Sequence, residues 1–138
     1  MHSIERAAAD TAEEDVAIYL GFVEAAMRHG ATAVAERMLC SDFVEHGVGA
    51  DRRASDVLAS LLARQARFPD AQWTIEQLVG LGGLVLCHVT MTCAQTSGRI
   101  VRGSETVIAR VRAGRLAECW RVEDGALRSD EGSSRMAT

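Results

Sequence analysis

Gln72-Trp-Thr-Ile-Glu-Gln-Leu-Val-Gly-Leu-Gly-Gly-Leu-Val-Leu-Cys-His-Val-Thr-Met-Thr-Cys-Ala-Gln95 is the stretch that decides the fold. Trp73, Ile75 and Val79 recur on one side of a period-two pattern, which is the signature of a β-strand rather than a helix. Gly82-Gly83 is a two-residue hairpin signal. The spacing therefore predicts an antiparallel pair, Gln72–Leu81 and Leu84–Gln95, the second strand carrying almost no charge. Downstream the pattern repeats. Thr96-Ser-Gly98 turns the chain, Arg99–Arg112 is a third long strand, Ala113-Gly114 turns again, and Arg115–Asp124 is the last.

Upstream the period is 3.6. Thr11-Ala-Glu-Glu14 reads as a capping box, followed by Val16, Tyr19, Leu20, Val23 and Met27 on one helical stripe ending near Gly30. A short helix begins at Thr32 and carries Val34, Met38 and Leu39. Phe43–His46 is extended. A third helix covers Ser55–Arg67 with Val57, Leu58, Leu61, Leu62 and Phe68 on its apolar side, and Pro69 closes it. Helices first and hairpin-linked strands afterwards predict a segregated α+β domain, with a curved, mostly antiparallel sheet wrapped around three helices. Residues 1–138 read as one domain, with 1–10 and 126–138 as flexible ends.

In the last strand, strict alternation places Leu116, Glu118, Trp120, Val122 and Asp124 on one face. An aromatic ring between carboxylates suits the wall of a pocket that binds a flat apolar molecule and moves protons. Trp73 and Tyr19 are further wall candidates, and His88 lies mid-strand. His46, with an ordinary pKa close to the working range of a general base, is a second candidate for proton transfer.

Composition excludes several functions. The net charge is −4 and no basic stripe appears, so a nucleic-acid partner is not expected. No apolar run is long enough to span a membrane, and the N-terminus lacks the pattern of a signal peptide; a cytoplasmic protein is expected. All fifteen basic residues are Arg, so no lysine amine exists to form a Schiff base. Cys40, Cys87, Cys93 and Cys119 form no Cys-x-x-Cys pair and read as small buried residues. Neither a metal site nor a dinucleotide or phosphate loop is expected, and hence no cofactor.

Four segments carry a family resemblance: Asp42-Phe-Val-Glu-His46, Phe68-Pro-Asp70, Val107-Ile-Ala-Arg-Val-Arg-Ala-Gly-Arg-Leu116, and Glu118-Cys-Trp120 followed by Asp124. In this order they resemble the nuclear-transport-factor-2-like superfamily of cone-shaped α+β domains, and within it the SnoaL-like polyketide cyclases. The resemblance spans about residues 12–128. It implies a cofactor-free intramolecular aldol closure of a polycyclic or polyketide-derived ketone, with Asp124, four residues past Trp120, as the acid–base group. A second polar position of the family, usually His, falls on Gln95, which can donate a hydrogen bond but cannot shuttle a proton.

Sister activities in the superfamily remain open. Ketosteroid-isomerase-like members carry their base where His46 stands, and epoxide-hydrolase-like members use an Asp-Arg-Asp set whose post-Trp positions here are Val122 and Gly125, which disfavours the hydrolase reading. A non-catalytic ligand-binding or association domain is the alternative from another class. A homodimer is expected through the outer sheet face, with Val101, Val107, Ala109 and Val111 as its apolar strand positions.

Overall fold

The structure, a computed structural model, describes residues 2–28, 32–47, 49–123 and 128–129. Helix α1 (His2–Met27) starts well before Thr11, through an Ala-rich stretch of high helix propensity, where the sequence predicted a frayed start. Helix α2 (Thr32–Arg37) is followed at once by strand β1 (Leu39–His46), so Leu39 belongs to the sheet and not to the short helix. A two-residue strand, β2 (Arg52–Arg53), leads into helix α3 (Ala54–Arg67). The Asp56 side chain accepts the Arg53 backbone N–H at 3.0 Å, satisfying one donor at the start of α3. Val57 is buried on that helix, whereas Leu62 is 52% exposed and lies off the packing face predicted for it.

The four long strands appear where the turn chemistry predicts them: β3 (Gln72–Leu81), β4 (Leu84–Ala94), β5 (Ile100–Arg112) and β6 (Arg115–Glu123). Gly82 and Gly83, and likewise Ala113 and Gly114, have positive φ, as tight two-residue hairpins demand. The short strand β7 (Arg128–Ser129) pairs with Val101 and Arg102 of β5, so part of the predicted flexible tail joins the sheet. The rest of the predicted tail, residues 126–127 and 130–138, lies outside the described residues.

The sheet runs β2-β1-β6-β5-β4-β3, all antiparallel except the β1–β6 pair. Register shifts at Ile75/Gln77 in β3, at Arg110/Val111 opposite β6, and between Leu39 and Val44 in β1 bend it. The curvature makes it the unclosed, cone-shaped sheet that the resemblance implied. The helices fill the concave side. Tyr19, Phe22, Val23, Phe43, Val85 and Leu116 belong to one buried cluster there, and Phe68, Met91, Cys93 and Val101 form a second, with Trp73 packed against both. Gly80 shows how closely α1 lies on β3. A Cβ at that position would sit 2.7 Å from the Ala12 carbonyl oxygen, so no larger residue fits without moving the helix.

The shift opposite Arg110 has a direct consequence for β6. Arg110 pairs with Glu118 but Val111 pairs with Leu116, leaving Ala117 as an extra residue. Leu116 and Glu118 therefore face opposite sides. Leu116 is 1% exposed in the core, while Glu118, Trp120 and Val122 follow the outer face. This overturns the single face predicted for Leu116, Glu118, Trp120 and Val122.

Candidate functional site

A cavity of about 110 Å³ lies between the helices and the concave sheet. Helix α1 contributes Tyr19, Phe22, Val23, Ala26 and Met27, a stripe that shares Tyr19, Val23 and Met27 with the predicted one but turns Phe22 inward. Helix α3 contributes Leu61, Arg64 and Gln65, and Phe68-Pro69 closes that end. The Gln65 amide donates to the carbonyls of Ala26 at 2.9 Å and Arg28 at 3.3 Å. It thus supplies partners at the C-terminal end of α1 and ties the two helical walls together. The sheet supplies Trp73, Cys87, Val89, Val107, Glu105 and Arg121.

The polar groups on this otherwise apolar wall form a chain. Arg121 Nε donates to Glu45 Oε1 at 2.5 Å, and its Nη1 pairs with Glu105 Oε1 at 2.6 Å. Glu45 is gripped from behind by Arg52, whose Nε donates to Oε2 at 2.8 Å and whose Nη1 donates to Ser60 Oγ at 2.6 Å. Cys119 Sγ adds a long contact of 3.7 Å to Glu45. Glu105 also receives both Arg64 Nη groups at 3.4 Å, and the Arg64 guanidinium lies 5.3 Å from the Trp73 ring centre.

Burial alone would raise the pKa of either carboxyl, but the guanidiniums outweigh it. Glu45 is held below the ordinary carboxylate range by Arg121 and Arg52, and Glu105 by Arg121 and Arg64. Burial would likewise favour a neutral Arg121, and the two carboxylates reverse that and hold it firmly protonated. Burial raises the pKa of Tyr19 and pushes the Cys87 thiol up to about 11, so both line the cavity as neutral groups. Among the described residues, no three His, Cys, Asp or Glu side chains gather as a metal-binding set.

Of the residues expected from the sequence, Tyr19 and Trp73 line this cavity. His46, Glu118 and Trp120 meet one another on the opposite, outer face. His46 Nε2 lies 2.8 Å from Glu118 Oε2 and Nδ1 lies 3.3 Å from Asp51; the ring stacks on Trp120 at 5.2 Å between centres. Arg110 Nε donates to Glu118 Oε1 at 2.8 Å. His88 sits between the inward Cys87 and Val89, opposite Gln77 and Thr106, and so also follows the outer face. Gln95 is exposed in the β4–β5 turn, where its backbone bonds Arg99 and Gly98, away from the cavity. Asp124 lies outside the described residues. The expected dimer positions Val101, Val107 and Ala109 are buried on the concave side; the outer face of β5 carries Ile108 and Arg110 instead.

The residues that sequence reasoning passed over are Glu45, Glu105, Arg64 and Arg121. A signal existed for Glu105: it lies in register with Val107 and Ala109, a charge on the strand's apolar face. Arg121 is adjacent to Trp120, and strict alternation puts it on the face opposite the one read as pocket wall.

The family model for the SnoaL-like polyketide cyclases matches residues 17–127. No curated protein sequence matches the chain. Among solved structures, the chain is similar to IdmH, a candidate polyketide cyclase from Streptomyces antibioticus. The two are 23% identical with a TM-score of 0.72, over 80% of this chain and 91% of that one. It is similar also to AclR from Streptomyces galilaeus, at 20% identity and a TM-score of 0.72, over 82% and 90%. A third is an LEH-like epoxide hydrolase of M. tuberculosis, at 19% identity and a TM-score of 0.66, over 83% and 85%. At these identities the structural likenesses establish the fold alone.

Proposed function

We propose that this chain, which belongs to the SnoaL-like polyketide cyclase family, is a cofactor-independent enzyme that closes a ring in a polyketide-derived ketone by an intramolecular aldol step. The observation that carries the reading is Arg121, a protonated guanidinium fixed by carboxylates on two sides in an apolar cavity. Such a preorganised donor stabilises an enolate oxygen with little reorganisation at the moment of reaction. The apolar walls seat one end of the ketone beside Arg121 and fix the orientation of the reacting carbonyl there.

In this reading a carboxylate removes a proton α to one carbonyl and the electrons move onto its oxygen, received by Arg121. The enolate carbon then attacks the second carbonyl, and the alkoxide so formed takes a proton back. Glu105 is a poor candidate for the base, because two guanidiniums hold it ionised and unreceptive to protons. Its role is to position Arg121. The base is assigned to Asp124 on the four-residue spacing from Trp120 that the family resemblance implies. His46 is not assigned a role, since it faces away from the cavity.

The test is deuterium exchange α to the carbonyl in flat diketones, with ring count read by mass spectrometry. Wild type exchanges and cyclises; Asp124→Asn binds the same ketones without exchange. If wild type binds them and neither exchanges nor cyclises, the chain is a binding module.

One observation favours a second reading, opening of an epoxide by water. Glu45, Arg121 and Glu105 form a carboxylate–guanidinium–carboxylate set, the residue types of the epoxide-hydrolase pattern on different positions. That chemistry needs one protonated carboxyl, and both are held low, so the ketone reading stands first. Diol formation from a cyclic epoxide would reverse the order.

The reading includes a homodimer through the outer sheet face, where Val79, Ile108 and Val122 are exposed. Sedimentation as a monomer at micromolar concentration removes that element.

A further inference from the structure

Among the described residues, the cavity wall carries two guanidiniums, Arg64 and Arg121, and one carboxylate, Glu105. Glu45, behind the wall, is shared between Arg121 and Arg52 and leaves no negative charge to spare. Tyr19 and Cys87, the other titratable groups facing in among the described residues, are neutral.

The two guanidiniums are held very differently. Arg121 is 15% exposed and has contacts of 2.5 and 2.6 Å to its carboxylates. Arg64 is 29% exposed, reaches Glu105 only at 3.4 Å, and rests over the Trp73 ring. Contacts at that length are well outside the range of strong charge-assisted bonds, so Arg64 retains donor capacity toward a third group.

Size adds a constraint. An apolar cavity of about 150 Å³ takes benzene, so a cavity of about 110 Å³ admits no more than one ring of a larger molecule. We propose that this cavity receives one ring of its ligand as an anion, an ionised enol or phenol oxygen bound by Arg64 with the ring seated against Trp73. The inference rests on the cavity being the substrate site of the proposed function. It narrows the substrate class to ketones that exist as acidic enols or carry an acidic phenol on the entering ring.

The experiment uses the full chain at one fixed pH, with monocyclic phenols of similar size whose acidities fall on either side of that pH, and the matching nitrotoluene as a ring that cannot ionise. Quenching of tryptophan fluorescence and calorimetry report binding. The ionised phenols are expected to bind about tenfold more tightly than the un-ionised rings, the scale of one hydrogen bond to a charged group. Arg64→Gln is expected to abolish that preference, bringing the ionised phenols to the affinity of the neutral ring in the same variant, and Arg64→Lys to retain part of it. Circular dichroism confirms that each variant is folded.

Equal affinity for ionised and neutral rings overturns the proposal. So does a loss in Arg64→Gln that is the same for both. Failure of the enzyme reading looks different: the anion preference is present, but no deuterium exchange occurs with any ketone.

Discussion

Strands β1 and β6 lie side by side and carry two ion-pair clusters built from neighbouring residues. Arg121 lines the cavity with Glu45 buried behind it; His46 and Trp120, one residue away on each strand, face outward with Glu118. The Glu45 side chain is 2% exposed, against 33% for His46 and 29% for Glu118. Coulomb interactions strengthen severalfold as water is excluded, but so does the penalty for an unmatched charge. The inner cluster must be complete to exist at all, and it is complete: every carboxylate has two guanidiniums. The outer cluster satisfies its hydrogen bonds in contact with water, where ion pairs contribute little.

This comparison can be broken by mutation. Arg121→Met leaves Glu45 with Arg52 alone and Glu105 with the longer Arg64 contact alone, and is expected to cost about 3 kcal/mol in urea unfolding, the low end of the range for removing one partner of a buried pair. A loss no larger than that of a surface substitution would mean the inner network is solvated after all. Glu45→Gln keeps an acceptor for Arg121 but loses the charge, and is expected to cost about 2 kcal/mol, as for a hydrogen bond to a charged group.

Acid separates the clusters further. The pKa values of Glu45 and Glu105 are lower folded than the unfolded value near 4.5, so the unfolded chain binds protons more readily. Their contribution is fully present above that value and is lost as pH falls through the folded pKa values. Urea midpoints should therefore drop below pH 4.5, and Glu105→Gln should show a shallower acid limb than wild type. If both proteins share one profile, Glu105 is not linked to stability.

The outer cluster has the opposite sign and the smallest effect. The hydrogen bond that His46 donates to Glu118 raises its pKa above its ordinary 6.5, so its contribution is present below that pH and fades as pH rises through the folded value. A nuclear magnetic resonance titration of the imidazole should show the raised pKa, and Glu118→Gln should bring it down with little change in the urea midpoint. An unchanged titration would remove the His46–Glu118 contact from the description.

The sequence by itself determined the order of the long elements along the chain and the hairpin turns at Gly82-Gly83 and Ala113-Gly114, because turn chemistry and hydrophobic period are local properties; the family was legible in four resembling segments. It also found Tyr19 and Trp73 as cavity residues, since each lies on an apolar face of its element. Which face of β6 looks into the cavity was decided only in three dimensions. The extra residue at Ala117 is visible only in pairing with β5, and a one-residue slip exchanges inside for outside. For that reason Trp120 and Glu118, read as pocket wall, stand outside, and Arg121 stands within. The joining of Glu45, Glu105 and Arg121 is likewise a tertiary fact. Glu45 and Arg121 are separated by 76 positions, and nothing local tells one buried carboxylate which distant guanidinium will neutralise it.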